Sequence, residues 1–214
     1  MNILNTFTES ASALQEYLGT LALCQDNDSI RLASDALKDP AVTVCFGITR
    51  DVPAVIGECF GQKPGSRYDR DKTAALLRRL GADRVYDIDT LMQFVLEENV
   101  TLVKQRIAED KDLPLITSKC PAVVHFITHH FPEYSGLLSP VPDVRTLFVQ
   151  KCTEEMLALG YTRENLCLIL VSTCILDKDN EDTGIDICLT VPEIAGMYKE
   201  LFKNESDSVD AWNK

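Results

Sequence analysis

The run LCLILVST, Leu166–Thr173, is apolar at almost every position and shows no alternation of polar and apolar residues. A strand with that pattern has both faces covered, so it belongs at the centre of a sheet with helices on both sides. Shorter runs of the same character are VTVCFG (Val42–Gly47), Val85–Ile88, Leu113–Thr117 and Ile185–Leu189. Between them lie helical patterns: Val52–Phe60, Arg67–Leu80 ending at Gly81, Asp89–Asp110, Pro121–Phe131, Asp143–Leu159 ending at Gly160, and Val191–Phe202. Glycine just past a helix supplies the left-handed residue that closes it. The alternation predicts an α/β fold, a mostly parallel sheet of about five strands with helices on both faces.

The chain divides on paper into an N-terminal helical segment over 1–40, an α/β lobe over 41–203 and a polar tail over 204–214. The net charge of −12 argues against a nucleic-acid partner, whose phosphates call for basic patches. The opening MNILNTFTES does not read as an export signal, and no run approaches the ~20 apolar residues of a membrane span. A cytoplasmic protein is the expectation. The 8 cysteines are scattered through strand and helix patterns with no CxxC, which suits reduced thiols better than a disulfide framework.

Candidate chemistry centres on LPLITSKCPAVVHFITHHFPE, Leu113–Glu133. A strand running into a cysteine, with proline opening the following helix, presents a thiolate where backbone N–H groups stabilise negative charge. Cys45, Cys120 and Cys174 are expected at or near the carboxyl ends of three strands, where parallel sheets collect ligands. Three thiolates there would suit an iron–sulfur cluster, zinc or copper(I); three unrelated cysteines are the alternative. All 3 histidines fall in one helical pattern, and His125 and His129 are spaced to share a metal on one helix face. A solvated polar face is the plainer account of that pair. The acidic run Asp177–Asp182 lacks the pattern of a calcium loop and reads as a loop.

Several segments together resemble the first lobe of the catalytic domain of FeFe hydrogenases. Thr117-Ser118-Lys119-Cys120-Pro121 and Pro132-Glu133 resemble that family's TSCCP and the PE that ends the next helix. Ile56–Phe60 resembles IGExF, Leu80–Asp87 resembles LGFDxVFD, Val171–Cys174 stands where the family has VMPC, and Asp186–Thr190 resembles DxxxT. The resemblance implies that Cys120 and Cys174 match ligands of a 4Fe-4S cluster, with Cys45 a further candidate. It also shows departures. Lys119 takes the place of the proton-relaying cysteine, and Asp177 that of the lysine that holds the diiron cofactor. Asp143-Val144-Arg145-Thr146 replaces SPQQ, and the motif carrying the last two cluster cysteines is not in this chain.

The resemblance therefore implies an incomplete ligand set and no diiron subcluster. Two functional classes follow: a degenerate iron–sulfur subunit with an accessory, sensory or scaffold role, or one part of a split hydrogenase completed by another chain. A zinc site built from Cys120, Cys174 and a histidine is a third. A protein partner or second copy covering the sheet edge near Cys120 and Cys174 is expected, because that edge is covered by the second lobe in the family.

Overall fold

The computed structural model describes residues 27–63, 70–117, 120–174, 177–178 and 183–202. Of the sequence expectations, most of the N-terminal segment, Lys119 and the polar tail lie outside these residues. Residues 91–143 form one compact unit, and the described residues before and after them form another. The boundary drawn at residue 40 falls inside the latter, between its first helix and first strand.

The larger unit holds a four-stranded parallel sheet. In chain order its elements are α1 (Asn27–Lys38), β1 (Thr43–Ile48), α2 (Val52–Cys59), α3 (Arg70–Leu80) and β2 (Arg84–Asp87), then α6 (Val144–Ala158), β3 (Leu166–Ser172), β4 (Ile187–Thr190) and α7 (Val191–Leu201). The strand order is β2-β1-β3-β4. As its composition demands, β3 is buried at every position and lies between β1 and β4.

Side chains alternate across the sheet. Val44, Phe46 and Ile48 of β1, with Cys167, Ile169 and Val171 of β3, join one core with Ile56 of α2, Leu77 of α3 and Ile194 of α7. The opposite face of β1 carries Cys45 and Gly47 and meets α6 through Cys152 and Phe148. Helices thus cover both faces. A Cβ on Gly47 would lie 2.9 Å from the Phe148 ring and 3.1 Å from Ile88, so only glycine lets the aromatic ring reach the sheet.

Both edge strands are pinned at their starts in the same way. Asp83, just before β2, accepts the Val44 N–H at 2.8 Å on its carboxylate and donates its own N–H to Val44 O at 3.0 Å. Asp186, just before β4, does the same with Leu168, at 2.7 and 3.0 Å. Arg163 adds a 2.7 Å ion pair to Asp186.

The expected fifth strand is corrected. Leu113–Thr117 belongs to the smaller unit and makes only an isolated bridge between Ile116 and Leu138. Leu113 is 42% exposed, and Pro114 has no N–H to give a ladder. The run is apolar enough for a strand but lacks the two-sided burial of a central one. Within that unit it is fastened by Ile116 N–H to Leu137 O and Ser139 N–H to Ile116 O, both 2.8 Å. The unit's helices are α4 (Met92–Glu109) and α5 (Pro121–His130). Asn99 of α4, buried, accepts from the Ser139 hydroxyl at 2.7 Å, tying the helix to that loop.

Candidate functional site at the carboxyl rim of the sheet

The carboxyl ends of β1, β3 and β4 place a set of polar groups side by side. Thr49 and Asp51 follow β1, and Thr49 Oγ1 donates to the Asp51 carboxylate at 2.7 Å. The Thr173 hydroxyl, just past β3, donates to the same carboxylate. Ser172, the last residue of β3, donates its hydroxyl to Asp177 Oδ2 at 2.5 Å and accepts the Cys174 N–H at 3.0 Å. Cys174 O in turn accepts the Asp177 N–H at 3.2 Å.

The dominant electrostatic feature is the ion pair between Arg145 of α6 and Asp177. Their side chains are only 9% and 10% exposed, so each charge depends on the other in a low-dielectric setting. Next to it Lys178 pairs with Glu193 at 2.6 Å. Glu193 also caps α7, accepting the Thr190 N–H at 2.7 Å while the Thr190 hydroxyl bonds it at 2.8 Å. Cys188 of β4 lies among these groups. Burial, then the Asp177 charge, pushes its thiol up to about 12, so it stays protonated at neutral pH.

The predicted site residues are distributed as follows. Cys174 lies just beyond the carboxyl end of β3, as expected, and is half-buried. Cys120 is exposed and immediately precedes α5 in extended conformation, with Pro121 at the first helical position. The helix start is as read; the strand before it is not. Cys45 is a correction: it lies within β1, ahead of the carboxyl end at Ile48, and is fully buried. Its thiol is held protonated by a hydrogen bond with Cys152 and then by burial. Cys152 is shifted down by that same bond from Cys45, and Tyr86 is pushed up by burial and then by Cys152. Cys45 is thus engaged inside the core.

His125 and His129 lie on exposed turns of α5 with their rings stacked, centroids 3.9 Å apart. Among the described residues no three histidines, cysteines or carboxylates gather as a metal-binding group, and the described cysteines form no disulfide. The pairing of Arg145 with Asp177 was missed by sequence reading. Both positions stand out as departures from the FeFe-hydrogenase pattern, one newly basic and one newly acidic, and that opposition of charge was the available signal.

A parallel sheet wrapped by helices, with polar groups along its carboxyl rim and a cysteine just past the central strand, defines an α/β lobe of the doubly covered parallel-sheet class. The chain belongs to the family described as iron only hydrogenase large subunit, C-terminal domain, which matches residues 42–209. It is 28% identical to the NADP-reducing hydrogenase subunit HndD of Solidesulfovibrio fructosivorans over 94% of this chain and 37% of that protein. It is 26% identical to iron hydrogenase 1 of Clostridium pasteurianum over 84% of this chain and 33% of that one. This chain therefore spans about a third of the length of these relatives.

Among solved structures, the apo FeFe-hydrogenase HydA1 of Chlamydomonas reinhardtii, variant C377H, superposes with a TM-score of 0.73 at 20% identity, covering 81% of this chain and 48% of that one. A structure reporting stepwise H-cluster assembly in HydA(deltaEFG) gives 0.74 at 21% identity, covering 81% and 47%. These establish the shared fold. No helix among the described residues is long and apolar enough to cross a membrane.

Among the described residues, the rim does not fit the anionic diiron group that the family implies. Where a free cation would be needed, Asp177 presents a carboxylate, and the Arg145 cation beside it is bound to that carboxylate.

Proposed function

We propose that this chain acts as an accessory, sensory or scaffold relative of the hydrogenase large subunit, with no diiron chemistry of its own. The observation that carries this reading is the buried Arg145–Asp177 pair, further tied by Ser172, at the rim. A site that binds an anionic cofactor keeps positive charge unspent; here it is neutralised internally. In this reading Cys120 and Cys174 are each thiolates offered to iron–sulfur chemistry, and a second copy or a partner protein supplies the remaining ligands. The setting is cytoplasmic and the partner is a protein, consistent with the acidic composition.

The test is iron and acid-labile sulfide per chain in anaerobically purified protein, repeated for Cys120→Ala and Cys174→Ala. Iron with equimolar sulfide, lost in either variant, supports the cluster. Zinc in place of iron, or a content unchanged by both substitutions, refutes it. The alternative is that this stretch is one part of a hydrogenase completed by another polypeptide. The similarity to HndD over 94% of the chain favours it. Hydrogen evolution from reduced methyl viologen, after supply of the diiron cofactor and the completing chain, would establish that alternative and overturn the accessory role.

A further inference from the structure

We propose that α5 carries a surface site for a late first-row divalent cation, of the Ni²⁺, Cu²⁺ or Zn²⁺ class, held by the imidazoles of His125 and His129. This inference does not rest on the cluster reading. The two residues are one turn apart on an exposed stretch of helix, and their rings stack with centroids 3.9 Å apart and planes inclined at 27°. Side chains four apart on a helix lie one above the other, and because ring lone pairs lie in the ring planes, turning the exposed His125 ring out of the stack brings both imidazoles onto one ion.

The hydrogen bonding of His129 selects its ligating nitrogen. Its Nδ1 lies 3.1 Å from the carbonyl oxygen of His125. A carbonyl only accepts, so Nδ1 carries the hydrogen and the neutral ring keeps its lone pair on Nε2. The Thr128 hydroxyl, 3.4 Å from the same Nδ1, has the carbonyl of Val124 at 2.9 Å for its own proton and so can accept from the ring. An imidazole whose other N–H is anchored to backbone is the arrangement that metal-bound histidines adopt, because it fixes both tautomer and ring direction.

Imidazole ligands select the later first-row ions over calcium or magnesium. No third histidine, cysteine or carboxylate completes the group among the described residues, so a bound ion would take its other ligands from solvent. His130 is not part of it: its ring packs on Phe126, centroids 5.2 Å apart. A bound ion would clamp two successive turns of the helix that begins directly after Cys120.

Ni²⁺ titrated calorimetrically into the full chain under reducing, anaerobic conditions tests this. The expected result is one ion per chain, with affinity falling about tenfold or more in His125→Gln and in His129→Gln, since loss of a ligand costs at least as much as loss of its supporting hydrogen bond. His130→Gln and Cys120→Ala should bind Ni²⁺ as the unaltered chain does. Ni²⁺ should also raise the melting temperature of the unaltered chain and leave that of His129→Gln unmoved. The assignment is overturned if no ion binds, if His129→Gln retains full affinity, or if His130→Gln or Cys120→Ala loses as much as the pair. The Cys120→Ala arm separates this site from the proposed cluster, since its iron content and its Ni²⁺ affinity are read independently.

Discussion

Replacing Asp177 by leucine removes the carboxylate and leaves the Arg145 guanidinium in a site where its side chain is 9% exposed. Breaking a buried pair from one side costs about 3–5 kcal/mol, because the surviving charge has lost both water and partner. The Ser172 hydroxyl loses its carboxylate acceptor at 2.5 Å as well, a bond of the class worth about 1.5–3 kcal/mol. The two losses share one carboxylate, so they are not summed, and about 3–5 kcal/mol stands as the expected total. In a chain of this size that corresponds to a fall in melting temperature of about 6–20 °C. The informative comparison is the double variant Arg145→Leu with Asp177→Leu. Removing both charges together should recover most of the loss, because apolar residues of similar volume replace a buried pair at little cost. Urea unfolding followed by far-UV circular dichroism gives the four corners of the cycle. If Asp177→Leu shifts stability by less than about 0.5 kcal/mol, or if the two single losses add in the double variant, the pair is not the buried, mutually dependent unit described above.

Two other expectations follow from the fold. Gly47→Ala should destabilise by about 1–3 kcal/mol, read as a lower urea midpoint at unchanged slope, because the added methyl meets the Phe148 ring at 2.9 Å. Stability should also fall as pH rises from 9 towards 12. Cys188 is raised to about 12 and Cys167 to about 11, against an ordinary 9.0, so in that window the unfolded chain releases thiol protons that the folded chain still holds. Urea midpoints measured between pH 8 and 11 check this, and a midpoint that stays flat or rises above pH 9 contradicts it.

What could be read beforehand depended on how locally each feature is encoded. The burial of β3 is written in its own residues, since a run without polar alternation has no solvent face to offer. Helix ends at Gly81 and Gly160 were equally legible, and both glycines adopt positive φ, 114° and 91°. Leu113–Thr117 misled because apolar character alone does not say whether neighbouring strands stand ready on both sides; a single bridge to Leu138 was all it found. Cys45 is in the expected strand, but its place within β1, three residues before the carboxyl end, directs it to Cys152 in the core, which the strand pattern alone does not encode. Arg145 and Asp177 lie far apart in sequence, and their meeting depends on α6 packing against the sheet, which no local pattern records.

Asp83 and Asp186 grip the two inner strands at the end of the sheet remote from Ser172 and Thr190. Sliding either outer strand by one residue would tear a carboxylate from its amide and turn every side chain of that strand to the wrong layer. Alignment is therefore enforced at the foot of the sheet, and the top edge inherits it without contributing. A scaffold held this way tolerates wholesale exchange of its upper residues, which is how oppositely charged side chains could settle there while the architecture stayed recognisable.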